Sequence, residues 1–187
     1  YKVSVLGYGE KFVGFKNYLV LLKSESFLKA FNNTVILIML GLLVIPIGFI
    51  LASLINSLKS GRFQSLFRIG FYLPNIITGV SVILVFQSVL LEHGGLLNSF
   101  LSIVLGREVA IGWLIDPYLT KIGASIISIW AGMGYAMLIC LAGLQSIPNE
   151  IYEAASVDGC TGIQKWLRIT VPNMRETFVF LFITNVI

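Results

Sequence analysis

Residues able to do chemistry are few in this chain, and the most informative group of them lies in one polar stretch, Ser146–Pro172, SIPNEIYEAASVDGCTGIQKWLRITVP. It holds the carboxylates Glu150, Glu153 and Asp158 and the cations Lys165 and Arg168, but no nucleophile set beside a base. His93 is the single histidine and reads as a loop or interface residue. Cys140 and Cys160 lack the spacing of a disulfide framework or a metal site. No G-x-x-x-x-G-K-[ST] phosphate loop occurs. No metal or cofactor is therefore expected to be held by the chain itself.

The local physics of 146–172 is that of two short helices with a bend between them. Ser146 is expected to cap the first, with Pro148 in its first turn and Glu150 at the positive end of its dipole. Gly159, free to take positive φ, stops it. Thr161 followed by Gln164 is a capping box for the second, which should run to about Thr170 and end at Pro172. Helical spacing puts Ile147, Ile151, Ala154 and Ala155 near one face of the first helix. It puts Ile163, Trp166, Leu167 and Thr170 near one face of the second. Such a loop either docks on its own protein, presents a knob to a soluble partner, or lies on a bilayer surface. Composition and spacing leave all three open.

The elements that position this loop are long and apolar. Of 187 residues 57% are hydrophobic and 12% charged, with a mean hydropathy of +0.90. A soluble domain carries about 25% charged residues, so lipid is the expected solvent. The net charge of +4 is small and scattered, which speaks against nucleic acid as a partner. A spanning helix needs about 20 apolar residues. Charge-free runs place spans at 34–56, 69–91 and 122–145, with a fourth at 176–187 that stops inside an apolar run. Backbone in lipid must bond internally, so these are helices. Pro46 and Pro74 should kink the first two.

The connection 92–120 contains an apolar decamer, Leu96–Leu105, too short to span and read as interfacial or re-entrant. Trp113, Tyr118 and Trp130 are candidates for an aromatic belt. Lys59, Arg62 and Arg68 in one loop, and Lys165, Arg168 and Arg175 in another, put both on one side, favouring the cytoplasm. Residues 1–33, with five lysines, would then be external.

Glu153-Ala154-Ala155, Gly159 four residues on, and Ile169-Thr170-Val171-Pro172 after nine more residues resemble the EAA loop of binding-protein-dependent ABC transporter permeases. The family pattern ends I-x-L-P, and Val171 stands where leucine is usual. The likeness extends to Phe15-Lys16-Asn17-Tyr18, Phe31-Asn32-Asn33-Thr34, Tyr72-Leu73-Pro74 and Gly95-Leu96-Leu97-Asn98. Trp113-Leu114-Ile115-Asp116-Pro117 and Leu141–Pro148 resemble the carbohydrate branch, of maltose and glycerol-phosphate permease type.

The resemblance implies an all-α, polytopic transmembrane bundle of the ABC importer permease type, multi-pass in a bacterial inner membrane. It implies that this piece holds about three full spans and part of a fourth, with at least one span before Tyr1 and one more after the truncated one. It implies a separate ATPase subunit that binds the ATP, a second permease subunit in a heterodimer, an extracytoplasmic solute-binding protein, and a sugar as cargo. It assigns ATPase coupling to Glu153, Ala154, Ala155, Asp158, Gly159, Ile169 and Pro172. Glu153 would meet a basic residue of the ATPase, Ala154 and Ala155 would permit close approach, and Gly159 would make the bend.

Ser128, Gly132 and Tyr135 stand at i, i+4 and i+7 on one helix face. Two readings of them stand, a polar path for a sugar and ordinary small-residue packing; the resemblance favours the first. Gly79 and Asn185 are weaker candidates for the same path. The three full spans contain no Asp, Glu, Lys, Arg or His, which argues against a proton- or ion-coupled carrier; a secondary transporter or channel without an ATPase is the second reading. A non-transporting membrane scaffold is the third alternative, and the EAA spacing separates the first reading from the other two.

Overall fold

A computed structural model of the chain describes residues 14–77 and 79–187. The first thirteen residues of the expected external segment lie outside it. By contacts the chain divides into two units, 1–37 and 38–187.

In the first unit, helix α1 covers Lys16–Lys23 and ends where Ser24 turns extended. Helix α2 then starts at Glu25, nine residues before the expected span, and runs to Gly41. Where described, 14–33 is therefore mostly helical. The acidic Glu25 sits in the first turn of α2, where it complements the helix dipole.

In the second unit, helix α3 is Val44–Asn56. Pro46 explains the break before it. A proline has no N–H to give to the carbonyl four residues back, and its ring crowds that carbonyl. Here that group is Leu42 O, and it accepts instead from Ile45 N at 3.1 Å in a tight turn. Helix α4 is Gly61–Ile76, with Pro74 buried near its end, and α5 is Gly79–Val89. These two are bent by 95° from each other, so the apolar run 69–91 is a broken element whose first half begins eight residues early. The break follows Pro74 and precedes Gly79, both poor at continuing a helix.

Helix α6, Leu96–Leu105, matches the expected decamer and ends on Gly106 at φ 63°. The connection around it is pinned by Asn98, 2% exposed. Its amide donates to the carbonyls of Glu92 and Ile111 at 3.0 and 2.9 Å, and its oxygen accepts from Trp113 Nε1 at 2.9 Å. Trp113 thus serves internal bonding, and Trp130 packs edge-on to Phe86 at 5.2 Å, while Tyr118 stays exposed. Of the three belt candidates only Tyr118 is displayed at the surface.

Helix α7, Leu119–Gln145, is the longest element, and α3 and α4 pack along it. The core joins Val44, Phe49, Ala52 and Ile55 of α3 to Ala136, Met137, Cys140, Leu141 and Leu144 of α7. Small residues let these helices approach. A Cβ on Gly134 would overlap Phe71 O and lie 2.7 Å from Tyr72 Cα. On Gly132 it would meet Val44 Cγ2 at an ordinary 3.5 Å. We therefore expect Gly134→Ala to lower stability by about 1–3 kcal/mol through overpacking, with Gly132→Ala nearly neutral. Unfolding of the two variants in detergent is the measurement, and equal midpoints would refute it.

The run Glu25–Asn56 and helix Leu119–Gln145 are each long and apolar enough to cross a membrane. The bent pair Gly61–Ile76 and Gly79–Val89 is a third crossing if it counts as one. Among the described residues there is no strand.

Candidate functional site

The polar loop leaves the C-terminal end of α7. Ser146 does not cap the helix that follows. It closes α7, its hydroxyl donating to Gly143 O at 2.7 Å. Pro148, extended at ψ 137°, is the residue before helix α8, Asn149–Val157. Proline's steric demand keeps Ile147 from continuing α7 into α8.

Helix α8 ends as its sequence predicts. Gly159 takes φ 74°, Cys160 N donates to Ala155 O at 2.9 Å, and Gly159 N donates to Ser156 O at 3.1 Å. This pair of bonds is a Schellman closure, which needs a residue comfortable in the left-handed region. Thr161 and Gln164 form the predicted capping box at the start of helix α9, Gly162–Lys165. Lys165 Nζ donates to Ser156 Oγ and ties the two short helices together.

The second helix does not stop at Pro172. It widens into a π turn over Trp166–Thr170 and continues through helix α10, Val171–Asn173, to a break at Met174 before helix α11, Arg175–Val186. The N–H of Val171 reaches back five residues to Trp166 O. A π turn beside Pro172 fits its missing donor and crowding ring, which an α-helical ladder would not accommodate.

The loop is anchored to the helices beneath it. The Trp166 ring stacks on Phe49 at 5.2 Å, and its Nε1 donates to Ser53 Oγ at 3.2 Å. Phe49 in turn meets Phe178 of α11 edge-on at 5.0 Å. Tyr152 and Thr170 share a 2.9 Å hydroxyl hydrogen bond between α8 and the π turn. Because Ser53 lies in the last turn of α3, loops 57–60 and 146–172 sit at the same end of the second unit.

The coupling candidates split between two surfaces. Glu153, Ala154, Asp158 and Gly159 are exposed, whereas Ala155 is buried against its own chain. Ile169 is half-buried, and Pro172 lines an open apolar groove with Ile45, Phe178 and Phe182. Ala155 therefore packs inward, unlike Ala154. Ile163 and Leu167 also turn outward, while Trp166 and Thr170 point in, so the face expected from regular helical spacing is divided. Spacing grouped Ile163 and Leu167 with Trp166 and Thr170 and missed Val157; Val157, Ile163 and Leu167 stand 89%, 74% and 55% exposed. It also missed the Trp166–Phe49–Phe178 stack, whose only sequence signal is an aromatic residue in each of three segments.

The substrate-path candidates are less gathered. Ser128 and Tyr135 are exposed along α7, with Gly132 half-buried between them. Gly79 opens α5, and a Cβ added to it would meet nothing within 4 Å. Asn185 Nδ2 donates to Leu181 O within its own helix at 2.8 Å. No hydrogen bond joins these five residues to one another among the described residues. A further polar group, Asn75, donates to Ala131 O of α7 at 3.4 Å, beside the kink.

The bent, two-helix polar loop is thus locked onto the bundle of apolar helices. The family described as the binding-protein-dependent transport system inner membrane component matches residues 44–187, and the chain belongs to that family. Among its relatives, the lactose transport system permease protein LacF of Rhizobium radiobacter is 34% identical over 179 residues, covering 95% of this chain and 59% of that one. The multiple sugar-binding transport system permease protein MsmF of Streptococcus mutans is 33% identical, covering 95% and 60%. The fold matches a crystal structure of a bacterial ABC transporter involved in import of the acidic polysaccharide alginate. That match has a TM-score of 0.81 and 30% identity over 93% of this chain and 60% of that one. The fold is thus the all-α membrane bundle of ABC importer permeases. The chain spans about 60% of the length of these relatives.

Proposed function

We propose that the chain is the membrane-spanning core of a permease subunit in an ATP-driven importer of a sugar or related carbohydrate. A solute-binding protein delivers the cargo, a second permease completes the path, and a separate ATPase subunit binds and hydrolyses ATP. The polar loop receives the ATPase motion, and the chain itself performs no chemistry on the cargo.

One observation carries this reading. The loop grips its own bundle through Trp166 and Tyr152 and at the same time turns Glu153, Asp158, Val157, Ile163 and Leu167 outward. A loop lying on lipid has no need of exposed carboxylates, whereas a soluble partner with a basic-rimmed cleft fits both the carboxylates and the exposed apolar residues. Glu153 is the charged contact, Ala154 allows close approach, and Gly159 sets the bend. Ser128, Gly132 and Tyr135, with Gly79 and Asn185 in support, line the sugar path.

Co-purification with the ATPase subunit in detergent is the test. Glu153→Lys should weaken the association at least about tenfold, since it sets like charges against each other across the contact. Undiminished recovery of the ATPase with this variant would remove the loop from the interface.

A further inference from the structure

The charged group least accounted for is Arg68. It lies two turns into α4, within the stretch that crosses the membrane if the bent pair counts as a span, and not at the edge where the charge-free run 69–91 places it. Its side chain is half-buried, and its Nε is buried with no hydrogen-bond partner. Its one hydrogen bond among the described residues is a long one, Nη2 to Gln64 Oε1 at 3.5 Å. Residues 26–91 contain no carboxylate, while Lys59, Arg62 and Arg68 follow one another at the same end. A half-buried guanidinium whose one hydrogen bond is long gains from an anion at its accessible Nη groups.

Beside it lies an apolar groove of about 290 Å³ between α3 and α4, walled by Leu51, Leu54, Ile55, Leu58, Phe67 and Phe71. On a 3.6-residue helix, Gln64, Phe67, Arg68 and Phe71 fall within roughly 100° of arc, so Arg68 stands at the rim of this groove. Gln64 Nε2 donates to Leu58 O at 2.7 Å and ties α4 to one of the residues that wall the groove.

We propose that this is a binding site for an anionic phospholipid of the leaflet facing loops 57–60 and 146–172. The phosphate is taken by the Nη groups of Arg68, because Nε itself is covered by the protein. Lys59 and Arg62 add long-range attraction at headgroup level. One acyl chain lies in the groove, as the apolar walls require. A free phosphate ion would use the same Nη groups and leave the walls empty. The inference concerns the chain's own surface and stands whether or not the cargo is a sugar.

The test is lipid retention by the full-length protein in native mass spectrometry, titrated with phosphatidylglycerol or phosphatidylcholine. Wild type should retain phosphatidylglycerol preferentially, and Arg68→Gln should lower that retention about fivefold. Arg68→Lys should keep much of it. Leu54→Trp, at a position 60% exposed and so safe for folding, fills the groove and should lower retention of both lipids. Inorganic phosphate should not compete. The proposal is overturned if wild type shows no headgroup preference, if Arg68→Gln or Leu54→Trp retains lipid like wild type, or if phosphate alone displaces it. It is equally overturned if Arg68→Gln leaves lipid untouched and releases the second permease subunit, which would make a partner carboxylate the counter-ion.

Discussion

On the function proposed above, replacing Gly159 by valine should cut sugar uptake by about tenfold in proteoliposomes holding the assembled transporter, while leaving the permease in the membrane. The residue sits at φ 74°, where an L side chain brings its Cβ against the following carbonyl at a cost of about 1–2 kcal/mol. That is a factor of about 5–30 in the population of the closed loop. A β-branched residue lies at the upper end, because its stiff χ1 offers no relief. The space around the glycine is open, with nothing within 4 Å of where a Cβ would stand, so the penalty is in the backbone and not in a clash. Gly159→Asn is the control: asparagine tolerates the left-handed region and should keep most of the uptake. Equal uptake by Gly159→Val and wild type would mean that the bend has no part in coupling.

On the same proposed function, truncating Trp166 should act differently, leaving ATP hydrolysis by the assembled transporter and removing most of the transport it drives. Its ring is the aromatic contact from the loop onto Phe49, and Phe49 carries that contact on to Phe178. Full burial of such a ring is worth about 3–5 kcal/mol against alanine, so this half-buried one should be worth about 2 kcal/mol. Loss of that amount undocks the loop from α3 while its outward surface still reaches a partner. Trp166→Phe keeps the stack and loses only the bond to Ser53, about 1 kcal/mol. Sugar transported per ATP hydrolysed should therefore fall in the order wild type, Trp166→Phe, Trp166→Ala. Hydrogen exchange over 162–173 should rise in the same order. A Trp166→Ala variant with wild-type stoichiometry would show that motion enters the bundle elsewhere.

What could be read from the residues alone was whatever short-range physics decides. Runs without charge over the length of a bilayer could only be helices. Gly159 and the Thr161/Gln164 pair act within a few residues of themselves, and their closures form as spacing predicts. Pro46 and Pro74 announced breaks, because a missing donor is a property of the residue. The EAA spacing could be read in the same way, and membership of the family agrees with it.

Other features needed the fold, because they depend on which surfaces meet. The bend of 95° between α4 and α5 follows two helix-poor residues, but its size is not encoded in either of them. Ser146 could cap forward or close backward, and α7 reaching Gln145 settled it. Regular periodicity put Ile163, Trp166, Leu167 and Thr170 on one face. A π turn beside Pro172, and a ring already waiting at Phe49, sent two of them inward and two outward. Arg68 looked like the flank of a span until α4 began at Gly61 and drew it into the helix. Composition and local chemistry thus determined that this chain is helical and membrane-bound, and where its polar joint lies. Only tertiary contact between distant segments decided which side of that joint grips the bundle and which is left exposed.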